Sequence, residues 1–345
     1  MGASPYTGAF YQCHRGGARS SAGVVVPMLI DLFAPRSVVD VGCGIGTWLA
    51  TFRELGVDDV CGVDGDWVER AALEIPAERF VAADLARPVR LDRTFDLVLS
   101  LEVAEHLPPH SADGFVESLT RLGPAIVFSA AIPLQGGVDH VNEQWPEYWV
   151  ERFVARGYEA IDGLRPRIWM NAAVDWYYAQ NALVFVQPHL LSRPAVARAR
   201  QGTAAAPLPL VHPRLWQSAL GWFRNLIAAI EDVGTAVPAG VLVAIADQAQ
   251  CGAALAAGRP AVPFPERDGV YWGAPADDAA AVAELERVRA RGAAALVVAW
   301  PAFWWLTHYR KFHDHLRSSF RCLVDNDRTV IFDLRSSPGD GAAAA

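Results

Sequence analysis

The run Val38-Val39-Asp40-Val41-Gly42-Cys43-Gly44-Ile45-Gly46-Thr47 constrains the fold more than any other part of the chain. A β-branched strand enters three glycines at alternate positions, and a helical pattern begins at once. Glycine belongs where the backbone turns tightly and where a ligand must touch main chain with no Cβ in the way. A strand, glycine loop and helix in that order imply a parallel α/β sheet with a ligand at the carboxyl end of its strands. Dinucleotide folds favour GxGxxG, which sets a pyrophosphate on the helix N-terminus; GxGxG suits a ligand without phosphates. Asp40, just before the loop, can anchor an ammonium group directly or through water.

The text on either side agrees. Ser37–Val41, residues 60–63, Phe80–Ala82, residues 95–100 and Ala125–Ser129 read as buried strands, with helical patterns at 47–55 and 67–72 between them. Such alternation predicts a sheet covered by helices on both faces. Residues 162–169 and 182–187 are expected to complete it as an antiparallel pair. Residues 191–209, rich in Ala, Pro and Arg, read as a linker between a first domain (1–190) and a smaller accessory α/β domain (210–345). In the second domain residues 215–230 form an amphipathic helix, with Trp216, Leu220, Phe223, Ile227 and Ile230 on one stripe. Strand-like runs at 241–245, 294–298 and 329–334 and a helix at 277–291 follow, and residues 342–345 read as a frayed tail.

Bulk properties limit the function classes. A length of 345 residues exceeds one ordinary core. A net charge of −8 without any basic run argues against nucleic-acid binding. Five scattered cysteines suggest neither a disulfide framework nor a zinc knuckle. The start lacks a charged segment followed by an apolar core, and residues 24–33 are too short and too interrupted to span a bilayer, so a cytoplasmic protein is expected.

Two further strand ends carry acids. Gly62-Val63-Asp64 offers a carboxylate to ribose hydroxyls, and Ala83-Asp84-Leu85 offers an acceptor for an adenine amine beside an apolar residue for its ring. With these loops and Ser100-Leu101-Glu102-Val103-Ala104-Glu105-His106-Leu107, the first 190 residues resemble the class I S-adenosylmethionine (SAM)-dependent methyltransferases in motif order and interval. The resemblance implies a Rossmann-like domain with SAM as cofactor. It implies SAM contacts from Asp40, Gly42, Cys43, Gly44, Asp64, Asp84, Leu85, Ser100 and Leu101, with Trp67 near the adenine. Tyr11, together with Tyr6 and Ser21, is expected to close over the cofactor as a lid.

Methyl transfer needs an aligned acceptor and a base where the nucleophile is a hydroxyl. His140 is expected to be that base, Asn142 the acceptor-orienting group, and His106 a further candidate. Glu102, Glu105 and His106 have the ExxEH spacing that, with a later histidine such as His140, holds a divalent ion in some RNA-terminal and quinone-type O-methyltransferases. Many proteins share this text, and the sequence reading assigns no metal. The HxNxQWPxYW, RPRIW and WYxQN segments resemble a subgroup of bacterial methyltransferases associated with polysaccharide or natural-product assembly, and Trp145, Trp176 and Tyr177 are candidates for an aromatic wall.

The expected activity is O-methylation of a sugar or small natural-product hydroxyl. The alternative is cyclisation of the aminobutyrate arm of SAM to azetidine-2-carboxylate, releasing methylthioadenosine. A SAM-binding regulatory or scaffold protein is a third possibility. The expected partners are a small-molecule or glycan acceptor and a second copy of the chain, with no nucleic acid or membrane. The accessory domain is read as an acceptor-binding or dimerising module.

Overall fold

The computed structural model describes residues 8–201 and 207–336, with side chains from residue 16 onward. Tyr6, the tail at 342–345 and the side chain of Tyr11 therefore lie outside the described residues. The chain divides into two compact units, Met1–Trp216 and Gln217–Ala345.

The first unit is built on seven strands: β1 (Ser37–Val41), β2 (Asp59–Asp64), β3 (Phe80–Ala82), β4 (Leu97–Leu101), β5 (Ala125–Ser129), β6 (Glu159–Ile161) and β7 (Leu183–Val186). Their order is β3-β2-β1-β4-β5-β7-β6. The first five are parallel, and β7 runs antiparallel to both β5 and β6. Every residue of β4, β5 and β7 is buried, because helices cover both faces. On one face Leu29 and Phe33 of α1 (Gly8–Phe33) pack with Leu49 and Phe52 of α2 (Thr47–Glu54). On the other, Phe115 and Leu119 of α3 (Ala112–Leu122) meet Trp149 and Phe153 of α4 (Pro146–Val154). The strand order reverses between β1 and β4, and the glycine and acid loops follow the carboxyl ends of β1, β2 and β3.

Several local expectations are corrected. Residues 67–72 do not form an α-helix; only a short turn occurs, at Arg70–Ala72. The strand expected at 162–169 is the shorter β6, and Arg165–Ile168 is a helix, α5, favoured by Pro166 in its first turn. After α6 (Trp176–Asn181), part of the stretch read as a linker is a helix, α7 (Pro194–Arg200), whose Val196 is fully buried in the first unit's core. The apolar stripe of α8 (Pro213–Ala236) is not a core face. Trp216, Leu220, Phe223 and Ile227 are exposed, while the small side chains of Ala229 and Val233 are buried.

The second unit holds β8 (Leu242–Ala246), β9 (Ala261–Pro263), a short hairpin of β10 (Glu266–Arg267) and β11 (Val270–Tyr271), then β12 (Ala293–Ala299), β13 (Arg321–Asp325) and β14 (Thr329–Asp333). Its five-stranded sheet has the order β13-β14-β12-β8-β9. Asp277 caps α9 (Asp278–Ala290) by accepting the Ala280 amide at 2.7 Å. Leu285, Leu296, Trp305, Phe312 and Phe332 fill the core. No helix among the described residues is long and apolar enough to cross a membrane.

Candidate active site

The glycine loop is shaped by positive φ and by close neighbours. Gly42 has φ +90°, and a β-carbon there would lie 2.2 Å from Cγ2 of Val103. Its amide and that of Cys43 donate to the Val63 carbonyl at 2.7 and 3.2 Å, tying the turn to β2. Gly46, at φ +85°, starts α2 in the left-handed region.

The acid of β2 locks this loop to its own. Asp64 accepts the Gly44 amide on one carboxylate oxygen and the Gly65 amide on the other, both at 2.7 Å. Burial pushes its pKa up and the two amides pull it down. The ring of Trp67 lies over Gly65, where a β-carbon would sit 2.2 Å from it. Asp64, Trp67, Asp84 and Leu85 line one cavity of about 330 Å³. Leu85 is buried, whereas the Asp84 carboxylate is largely exposed and accepts the Ala86 amide.

A second cavity, of about 370 Å³, shares Gly42, Gly44, Glu102 and His106 with the first. Asp40, Cys43 and Leu101 line it on the glycine-loop side. Burial, with Asp64 adding repulsion, raises the Asp40 pKa to about 7. Such a carboxylate gains most from an ammonium group brought beside it. Burial also pushes the Cys43 thiol well up, so it contributes shape and not a thiolate.

The far side of this cavity carries Glu105, His106, His140, Trp176 and Tyr177. Ligand atoms of Glu105, His106 and His140 lie within 4.8 Å of one another. Burial and the nearby His140 lower the His106 pKa to about 4, keeping it neutral near pH 7. His140 Nδ1 lies 2.9 Å from Glu143 Oε1. The structure thus brings His106 and His140 together with the cofactor loop, 4.8 Å between ring centroids.

Three expected site residues lie elsewhere. Ser100 is fully buried and lines neither cavity, because strand alternation turns Leu101 to the ligand side instead. The Asn142 side chain is buried, accepts from Gln144 and reaches the Ala104 carbonyl, so it secures the loop and faces neither cavity. Ser21 is no lid: its buried hydroxyl accepts the Asp175 amide at 2.9 Å.

Arg165 of the RPRIW segment and Asn181 of the WYxQN segment are framework, whereas Trp176 and Tyr177 line the second cavity. Arg165, buried, donates to Asp162 and to the Gln180 carbonyl. Asn181 and Gln135 both donate to Glu102, which is held at φ +55° on the cavity wall. Gln135 and Gly137, both on that wall, escape sequence reasoning. The Gly136-Gly137 pair was the only signal available.

Residues 19–161 match the family model described as a methyltransferase domain. Among solved structures, DesVI of Streptomyces venezuelae is 15% identical, with a TM-score of 0.40, covering 52% of this chain and 96% of that one. The sugar N-methyltransferase KedS8 of Streptoalloteichus is 19% identical, with a TM-score of 0.41 and coverage of 52% and 91%. The SAM-bound amino pentose methyltransferase CalS10 of Micromonospora echinaspora is 17% identical, with a TM-score of 0.39 and coverage of 54% and 100%. No curated protein sequence matches the chain.

Proposed function

We propose, on the premise that residues 19–161 are a class I SAM-dependent methyltransferase domain, that the chain methylates a hydroxyl of a sugar or other small metabolite. The observation that carries this reading is a single cavity with Asp40 and the glycine loop on one side and Glu105, His106 and His140 on the other.

The residues present fit the cofactor. Asp40 offers a buried carboxylate to the ammonium, Gly42 and Gly44 offer bare main chain, and Asp64 keeps unused lone pairs for ribose hydroxyls. SAM, when bound, supplies a methyl group on a sulfonium for in-line displacement. Trp176 and Tyr177 give the acceptor a flat apolar wall, as sugars and aromatic rings both use. In this reading His140 is the base that draws the proton from the attacking hydroxyl, with the neutral His106 beside it. Asn142 has no share in this, and with it goes the residue on which cyclisation of SAM depended. The second unit is proposed as an acceptor-binding or dimerising module.

Mass spectrometry of the nucleoside released from SAM, with hydroxylated and aminated sugars as acceptors, tests the reading. S-adenosylhomocysteine with a methylated sugar oxygen is expected. Methylthioadenosine as the product would overturn it. His140→Ala should lower kcat by roughly 10²- to 10⁴-fold while leaving SAM affinity intact.

A further inference from the structure

We infer that His212 is a positioning residue for the acceptor side of the second cavity, acting through Trp176 and through a relay of side-chain amides. The inference rests on the methyl-transfer reading in one respect: it takes the wall at Trp176 as the acceptor's.

The first route runs through the imidazole. His212 is buried in the first unit, directly before Pro213 opens α8. Its carbonyl accepts the Trp216 amide and its ring Nδ1 accepts the Arg214 amide, both at 3.1 Å, so the residue caps the helix. An accepting Nδ1 puts the proton of the neutral ring on Nε2, which donates to the Trp169 carbonyl at 2.7 Å. One tautomer therefore serves both bonds and ties the start of α8 to the residue after α5. The ring packs on Trp169, 4.8 Å between centroids, and lies 6.5 Å from the ring of Trp176, which lines the cavity.

The second route starts at the main chain. The His212 amide donates to Gln180 Oε1 at 2.8 Å. With that oxygen taken, Gln180 turns Nε2 toward Gln135 Oε1 at 2.9 Å and Asn181 Oδ1 at 3.0 Å. Gln135 and Asn181 then point their own nitrogens onward, and each donates to Glu102 at 3.0 Å. A side-chain amide has one donating and one accepting end, so a single backbone N–H sets the orientation of three side chains in turn.

Gln135 and Glu102 line the same cavity as Trp176, whereas His212 lines neither cavity. It reaches the wall only through other residues. Neither route passes through Asp64, Trp67, Asp84 or Leu85. Disturbing His212 should therefore loosen the acceptor's seat and spare the cofactor's.

The test uses the full chain and the hydroxylated and aminated sugars named above. His212→Asn keeps a capping oxygen for the Arg214 amide but removes the ring and its bond to Trp169. Gln180→Met leaves that ring in place and breaks the relay. Each should raise the acceptor KM by about tenfold, with kcat and SAM affinity within about twofold of the parent. Gln180→Met carries the test should His212→Asn fail to fold. An unchanged acceptor KM in either folded variant, or a loss of SAM affinity in step with it, would overturn the inference. Nitrogen-15 resonances of the indoles give a readout without turnover: the Trp176 signal, assigned with Trp176→Phe, should shift or broaden in His212→Asn, and an unmoved signal sinks the placement. Should the parent methylate no sugar, the methyl-transfer reading fails, and the indole signal alone decides the role of His212.

Discussion

The imidazoles of His106 and His140 meet edge to face, 4.8 Å between ring centroids. The cause is the backbone of Glu105, whose carbonyl accepts the amides of both Val141 and Asn142 at 2.8 and 2.9 Å. One peptide oxygen beyond β4 thereby draws the distant loop over the cofactor cavity.

Asp40 should make cofactor affinity depend on pH. Its pKa is raised to about 7, so it is largely protonated at pH 6 and ionised at pH 8. Only the ionised form attracts an ammonium, and SAM affinity should therefore fall by up to about tenfold per pH unit below 7. Calorimetry across pH 5.5–8.5 reads this directly, and Asp40→Asn should flatten the profile.

The same residue should cost the ligand-free protein stability. A carboxyl whose folded pKa exceeds its unfolded value loses stability as pH rises between the two, here from about 4 to about 7. Asp40→Asn escapes that loss. Its melting temperature at pH 8 should exceed that of the parent, even as SAM affinity drops.

Asp64→Ala should abolish measurable SAM binding. The change removes the proposed ribose acceptor and also frees the Gly44 and Gly65 amides that hold the loop. Charge-assisted hydrogen bonds contribute about 1.5–3 kcal/mol each, so the loss should exceed 100-fold. Unaltered affinity would remove Asp64 from the site.

Gly42→Ala combines a positive φ with a collision against Val103. A penalty of about 1–3 kcal/mol is expected from the backbone alone. Gly42→Ala with Val103→Ala should recover part of the stability lost to the collision, but none of the part due to φ. Denaturant midpoints of the two variants separate the contributions.

Trp176→Ala should raise the acceptor KM and leave SAM affinity within about twofold, because Trp176 lines the second cavity and not the adenosine side. Arg165→Ala should act on stability instead. It leaves the half-buried Asp162 and the Gln180 carbonyl without their donor, and losing hydrogen bonds to a charged group costs about 1.5–3 kcal/mol each.

Much of the first unit was legible because its signals are local. The β-branched run into Gly42, Gly44 and Gly46 specifies a strand, turn and helix whatever surrounds it, and the acids at Asp64 and Asp84 follow from strand ends. The failures were also physical. Ser100 and Leu101 are adjacent in sequence, yet only strand orientation within the sheet decides which one faces the ligand. Arg165 reads as a surface residue until Asp162 and the Gln180 carbonyl are seen to receive it. The stripe on α8 has helical period, but periodicity carries no information about which side the core will occupy.

From the amino-acid order alone came the alternating α/β architecture and the methyltransferase family of the first unit. Each depends on turns, spacing and side-chain type within a few residues. Tertiary structure alone decided where the polar groups end up: Asn142 is consumed by the loop it sits in, while Glu105 is buried against the carboxylate of Glu102. Whether a buried group finds a partner depends on chain segments far apart in sequence. Only the packed fold sets that distance.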